Sequence, residues 1–345
     1  MKWKYWLKFL RLSEEYTNPL LKKKKKILRV INYLKWRERA DVYDLNFQSE
    51  KINNDLNFFI KEDVWPKKIA ACIAFSYNES RLDFLAQICQ NLEKISKNTD
   101  ITIAINNSAL TNKDLIKKKI SEKSSLKINF FCPKNLLDPR LLPFSHYEIV
   151  KEKIKDNKFS HFLYLEDDIL INEKNIKYWV LAREALKKYR LIPSFLRVET
   201  SSSNKEQYLV DSKKHNSFFL QPKIFNQNKD FAFINLVNFY SGMYFYDREL
   251  MLEHLESVSN SLDFGHGSYN EKWIIPEMQE LGLLERASAG LAFMNVPQGF
   301  LHRNVVPVIT KEKLIEDYCL IKHLSNKFVD LDTEFASIKV KDFFN

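Results

Sequence analysis

The chain has 345 residues, 45% hydrophobic and 14% aromatic, with only 6 Gly and 10 Pro. That is apolar material for a sizeable core in one large α/β unit or two modest ones, and it excludes a disordered or fibrous chain. The net charge of +10 is confined to one end: residues 1–40 carry 13 Lys/Arg against 3 Asp/Glu, and the other 305 residues carry 41 of each sign.

A nucleic-acid enzyme more often carries its basicity through its body, so no nucleic-acid partner is expected. Apolar runs of membrane-spanning length are absent. In "MKWKYWLKFLRL" Trp3, Trp6, Leu7 and Leu10 share a helical face and Lys4, Lys8 and Arg11 another. "LKKKKKILRVINYLKWRER" adds five consecutive lysines and a second amphipathic run. This predicts a basic helical extension that meets an anionic membrane surface or packs on the main domain as a solvated arm. Residues 1–66, polar and Asn-rich toward their end, read as extension and linker.

From Lys67 the pattern changes. "KIAACIAF", "ITIAI", "LKINFF" and "HFLYL" predict strands. "SRLDFLAQICQNLEKI", "NKDLIKKKISE" and "LPFSHYEIVKEKIKD" predict the helices between them. Continuous apolar strands alternating with helices imply a mostly parallel sheet covered on both faces. "NEKNIKYWVLAREALKKY" predicts a helix capped by Asn172, and "IPSFLRVE" a strand. Residues 201–230 read as a long polar loop, either a lid or an insertion. Strand character returns in "FAFINLVNFYSGMYFYDREL", then a helix in "NEKWIIPEMQEL" and a strand in "LAFMNV"; residues 310–345 read as a terminal helix and tail. Cys72, Cys89, Cys132 and Cys319 are widely spaced without a CxxC. Reduced buried thiols and a cytoplasmic compartment are expected, and no signal-peptide pattern contradicts this.

In "FLYLEDDIL" four apolar residues run into Glu166, Asp167 and Asp168. Ligands of such sheets gather at the carboxyl ends of the strands. Three adjacent carboxylates leaving a buried strand repel one another and call for a cation. Side-chain alternation would point Glu166 and Asp168 to one side and Asp167 to the other. Mn²⁺ or Mg²⁺ suits oxygen ligands and completes its shell with substrate phosphates; a surface salt-bridge cluster is the plainer alternative.

"HFLYLEDDIL" resembles the Glu-Asp-Asp motif of metal-dependent, nucleotide-sugar-using glycosyltransferases of the GT-A fold. "IAFSYNESRLDFL" resembles their nucleotide-holding first strand, loop and helix, and "FYSGMYFYDREL" the turn bordering the donor sugar. "NEKWIIPEMQELG" is similar to the acidic helix start that supplies a base, and "LHRN" falls where the family often places a metal-binding His. The resemblance covers roughly residues 67–305. It implies a GT-A-like (Rossmann-like) α/β domain over 67–309, with 310–345 as a C-terminal helix and tail.

The resemblance assigns Asp168 and His302 to the metal, with His146 and His266 as unranked alternatives. Asp167 would bind metal through water or contact the ribose, and Glu166 would hold its neighbours in place. Ser76, Asn78 and Glu79 after the first strand, and Asn106 and Asn107 after the second, would line the nucleotide. Helix-opening and turn chemistry explain the same residues without a ligand. Arg303 would neutralise phosphate. Gly242 would let a sugar approach the backbone or mark a bulge, and Tyr240, Tyr244 and Tyr246 would face sugars or pack in the core. An inverting transfer needs a carboxylate base. Glu271 is the first choice and Asp263 the second, with Glu277 and Glu199 also candidates.

The expected activity is transfer of a sugar from a nucleoside diphosphate sugar, a UDP-sugar favoured, to a glycan or lipid-linked acceptor in surface polysaccharide or lipopolysaccharide synthesis. The enzyme would sit peripherally on the inner membrane face through residues 1–40. Two rivals stand beside it. A sugar-nucleotide nucleotidyltransferase would need a Gly-rich basic loop after the first strand, where "SYNESRLDFL" has no glycine. The other is a catalytically inactive membrane-associated binding protein.

Overall fold

A computed structural model describes residues 65–344 apart from 97–98, 135, 137, 213–222, 227, 237, 239, 261–281, 298–299 and 332. The extension 1–64, the helix expected at 270–281 and its loop lie outside the described residues.

Strand β1 (Ile69–Phe75) is buried along its whole length. Leu82–Ile95 forms helix α1, whose Leu82, Leu85, Ile88, Cys89, Leu92 and Ile95 recur every three or four residues and bury one stripe. Fully burying each large aliphatic side chain contributes about 1.5–3 kcal/mol. Then come β2 (Asp100–Ile105), the short α2 (Asn107–Leu110), α3 (Lys113–Ser121) and β3 (Ile128–Phe131). Helix α4 (His146–Lys153) precedes β4 (His161–Glu166), β5 (Ile169–Leu170) and α5 (Glu173–Leu186). As its sequence suggests, α5 is capped by Asn172, which exchanges hydrogen bonds with Asn175.

The second half holds β6 (Ile192–Pro193), β7 (Leu196–Thr200), β8 (Gln207–Leu209), β9 (Lys223–Phe225), β10 (Phe231–Ile234) and β11 (Met243–Asp247). They are followed by α6 (Arg248–Glu256), α7 (Leu283–Ala289), β12 (Asn304–Ile309), β13 (Leu314–Ile315), β14 (Leu320–His323), α8 (Lys327–Asp330) and β15 (Ile338–Lys339).

The main sheet runs β11-β4-β1-β2-β3. β1 to β4 are mutually parallel, and β11 closes the sheet antiparallel to β4. This is the expected α/β architecture, a mostly parallel sheet flanked by helices. Cys72, Tyr164 and Tyr244 form one row across β1, β4 and β11. His146 of α4 lies 4.2 Å from the Tyr164 ring and His254 of α6 lies 5.4 Å from the Tyr244 ring, so both helices cover that face. Two smaller sheets, β13-β12-β10-β9 and β15-β8-β7-β14-β5, complete the fold.

Three local expectations are revised. Residues 291–296 form turns and bends, buried at 291–293, instead of a strand; with few polar neighbours an apolar run does not distinguish the two. The 201–230 stretch contains β8 and β9. The described residues of 310–345 form three strands and a four-residue α-helix, with β14 inserted between β5 and β7. Long-range pairing overrides the local pattern there.

Candidate active site

β1, β2 and β4 end on the same edge of the sheet, and the chain leaves each with a hydrogen-bonding residue. Asn106 caps α2: its Oδ1 accepts from the Ala109 and Tyr77 amides at 3.1 and 3.3 Å, while its Nδ2 donates to Ser76 Oγ at 3.1 Å. Asn106 thus ties the end of β2 to the loop after β1. Asn78 Oδ1 accepts from Ser80 N and Oγ at 3.1 and 2.8 Å, capping the single turn Glu79–Arg81. Ser76 and Glu79 are exposed on this rim. Asn107 opens α2; its side chain lies outside the description.

The strand conformation of β4 stops at Glu166, and Asp167–Asp168 form a turn, so the alternation expected of an extended chain does not hold. Arg81 faces both aspartates: Nη1 donates to Asp167 Oδ1 at 2.5 Å and Nη2 to Asp168 Oδ2 at 2.8 Å. His323, which pairs with Ile169 across β14 and β5, donates from Nε2 to the same Asp168 oxygen at 3.2 Å. Its Nδ1 donates to Glu199 Oε1 at 2.5 Å. With a carboxylate at each ring nitrogen, the pKa of His323 is raised: burial opposes the charge, but the bonds to Asp168 and Glu199 outweigh it. The other Glu199 oxygen accepts from the Phe328 and Val329 amides at 2.9 and 2.7 Å. Glu199 is therefore a buried anchor for α8 and His323, with both oxygens engaged.

Glu166 donates its amide to the Gly242 carbonyl at 3.0 Å and accepts from Tyr240 O–H at 2.6 Å. Gly242 has φ +67°, a region L-residues avoid, and a Cβ there would lie 3.1 Å from Glu166 Oε2. Arg197 lies over the Tyr240 ring at 4.5 Å and is paired with Asp211.

These environments split the three acids. Burial raises Glu166, against the Arg197 charge and the Tyr240 bond. Burial pushes Asp167 up to about 7, despite Arg81 and with help from the Asp168 charge. For Asp168 burial pushes upward, but His323 and Arg81 together hold it below the usual carboxylate range. The cluster carries more carboxylates than cations, and Asp167 Oδ2 is buried without a hydrogen-bond partner.

Asp167 and Asp168, one of them with an unpartnered buried oxygen, are the residues here whose oxygens could hold a hard divalent cation that keeps water and takes phosphate oxygens. No group of three or more His, Cys, Asp or Glu side chains forms a cage among the described residues. His302 belongs elsewhere: Nε2 donates to the Leu236 carbonyl at 2.6 Å and Asn235 Nδ2 faces Nδ1 at 3.1 Å. Burial lowers its pKa to about 4. Arg303 donates to the Arg190 carbonyl and to Glu253, at 2.7 and 2.6 Å. Both residues brace the segment around β12. His146 is buried under the sheet, its Nδ1 donating to the Pro143 carbonyl at 2.5 Å. Tyr244 and Tyr246 are buried in the core, while Tyr240 reaches the acids. Glu271, Asp263, Glu277 and His266 lie outside the described residues.

Sequence reasoning missed Arg81 and His323. Arg81 had a signal: a cation at the start of α1 opposes the helix dipole, so something acidic nearby had to hold it. His323 had none beyond a short apolar stretch.

No protein-family model matches the chain, and no curated protein matches it. Solved structures that resemble it include the mannosyltransferase PcManGT from Pyrobaculum calidifontis, in complex with GDP-Man and Mn2+. It is 9% identical at a TM-score of 0.34, covering 68% of this chain, which in turn spans 59% of that one. Another is 4-diphosphocytidyl-2C-methyl-D-erythritol synthase from Anaerococcus prevotii DSM 20548, 14% identical at a TM-score of 0.29, covering 55% of this chain and 76% of that one. HddC from Yersinia pseudotuberculosis is 12% identical at 0.28, covering 54% and 79%. At these identities the likeness assigns no residue.

Proposed function

We propose that the protein is a metal-dependent glycosyltransferase that takes its sugar from a nucleoside diphosphate sugar. The observation that carries this reading is the buried Asp167–Asp168 pair at the carboxyl end of β4, with Asp167 Oδ2 unpartnered, beside the rim built by Ser76, Asn78 and Asn106. Asp168 and Asp167 would hold Mn²⁺ or Mg²⁺, which when bound would supply screening of the charge that develops on the leaving diphosphate.

The remaining work falls to the chain itself. His323 and Glu199 hold Asp168 in place, while His302, the metal ligand expected from the sequence, is engaged by Leu236 and Asn235. Tyr240 and Gly242 fix Glu166. The Ser76–Asn106 rim receives the nucleoside. A carboxylate of the 263–271 region, Glu271 or Asp263, accepts the proton of the acceptor hydroxyl. The acceptor is a glycan or lipid-linked glycan, and residues 1–40 hold the protein to the cytoplasmic membrane face, in surface polysaccharide or lipopolysaccharide assembly.

The test is calorimetry and thermal shift with UDP, GDP and CDP, with and without Mn²⁺, followed by hydrolysis of the matching nucleotide sugar. A diphosphate that binds only with Mn²⁺, and is lost in Asp168→Asn, supports the reading. Release of pyrophosphate from a nucleoside triphosphate and a sugar 1-phosphate would replace it with the nucleotidyltransferase. No nucleotide binding at all would leave a binding protein.

A further inference from the structure

Among the described residues Arg81 is the one cation that touches two of the three acids, and its placement is unusual. It sits at the start of α1 without capping it, where the helix dipole disfavours positive charge. Its side chain is 29% exposed, against 6% and 5% for Asp167 and Asp168. The guanidinium thus lies between the acids and solvent. It takes one oxygen of each aspartate and leaves Asp167 Oδ2 buried and unpartnered. Arg81 bridges the two carboxylates and His323 adds a contact to the same Asp168 oxygen, yet neither reaches Asp167 Oδ2, so a cation bound there would satisfy an oxygen that Arg81 leaves unmet.

We infer that Arg81 is a resident counter-ion which a divalent cation displaces from Asp167 and Asp168, and which then pairs with the diphosphate that arrives on that cation. This rests on the transferase reading and adds to it a residue and an order of events. Three features support the exchange. The turn Glu79–Arg81 is only three residues long and is held by Asn78, so a rotation of the Arg81 side chain leaves α1 and β1 in place. The rim of Ser76 and Glu79 beside it is exposed, which gives the freed guanidinium room over a nucleotide. A planar guanidinium also offers two parallel donors, the geometry that matches phosphate oxygens as well as carboxylates.

The competition has a measurable sign. An internal charge-assisted pair has to be broken before the metal enters, so the wild-type protein binds metal more weakly than its acids alone would. Hydrogen bonds to charged groups are worth about 1.5–3 kcal/mol, which corresponds to roughly a tenfold effect or more.

The experiment is isothermal calorimetry of wild type, Arg81→Gln and Arg81→Lys, first with Mn²⁺ alone and then with UDP, GDP and CDP in saturating Mn²⁺. Arg81→Gln should bind Mn²⁺ alone about tenfold more tightly and the preferred diphosphate about tenfold more weakly. Arg81→Lys, which keeps the charge but loses the two-pronged contact, should shift both in the same directions by less. It also serves should Arg81→Gln fail to fold. Unchanged or weaker Mn²⁺ binding in the variants would overturn the inference, as would an unchanged diphosphate affinity. A wild type that binds Mn²⁺ and diphosphate while the variants behave identically defeats only the role of Arg81. A wild type that binds neither defeats the transferase reading as well.

Discussion

Gly242→Ala tests how tightly the acid motif is built. Gly242 sits at φ +67°, where an L-residue costs about 1–2 kcal/mol. The added Cβ would lie 3.0 and 3.2 Å from Cγ1 and Cδ1 of Ile169 and 3.1 Å from Glu166 Oε2, and crowding of that kind costs about 1–3 kcal/mol. Lower entropy of the unfolded alanine chain returns about 0.4–1 kcal/mol. The expected net destabilisation is about 1–4.5 kcal/mol, set against the roughly 5–15 kcal/mol that holds a domain. Urea unfolding followed by far-UV circular dichroism measures it as a drop in midpoint at constant slope. Adding Ile169→Val removes one of the crowded methyls and should recover part of the loss. The Glu166 carboxylate is pushed off Tyr240 by the same methyl, so Mn²⁺-dependent nucleotide binding should weaken along with stability. A Gly242→Ala protein within about 0.5 kcal/mol of wild type would refute both the backbone argument and the close approach of Ile169.

Three further outcomes are expected. Arg81→Gln should cost about 2–4 kcal/mol, because two buried carboxylates lose their shared cation, and Asp167→Asn in the same chain should restore much of it; strictly additive losses would show that Arg81 and Asp167 do not interact. Burial holds His146 and His254 down to about 3 and His161 and His302 to about 4, so all four are neutral in the fold at neutral pH. The unfolded chain takes up these protons near pH 6.5, so stability is full above that value and falls on acidification at about 1.4 kcal/mol per pH unit for each group, with the raised Asp167 offsetting part; a urea midpoint that stays flat from pH 7 to 5 contradicts this. Finally, His146 Nε2, Tyr164 O–H, Tyr244 O–H and His254 Nε2 are buried without partners in one cluster of rings. His146 donates from Nδ1 to a carbonyl, which leaves Nε2 as an acceptor for a water that takes a tyrosine proton. A crystal structure finer than about 1.8 Å should show ordered water there, and an empty space would be at odds with the unsatisfied hydroxyls.

Much of the main sheet was legible because its signals are local. Seven consecutive apolar residues in β1 and the three-to-four spacing in α1 report burial on both faces and on one stripe. The Asn172 cap is readable from residues within one turn. The acids at the end of β4 were visible because an apolar strand stopped at them. The segment after residue 309 was misread, since β13, β14 and β15 are two to four residues long and exist only through pairing with distant partners. The site was half legible for the same reason. His302 and His323 both follow apolar stretches, and nothing nearby in the chain separates them.

What the amino-acid sequence determined by itself was the order of the main strands and helices from β1 to α5, the position of three carboxylates at a strand end, and the polar residues that leave β1 and β2. Hydrophobic period and chain breakers act over a few residues, so they can be read in line. Only the tertiary structure decided which charges meet: Arg81 reaches Asp167 across 86 positions and His323 reaches Asp168 across 155. Those encounters depend on the register of β14 against β5 and on the turn that ends β4. A one-residue shift in either would bring a different side chain to Asp168.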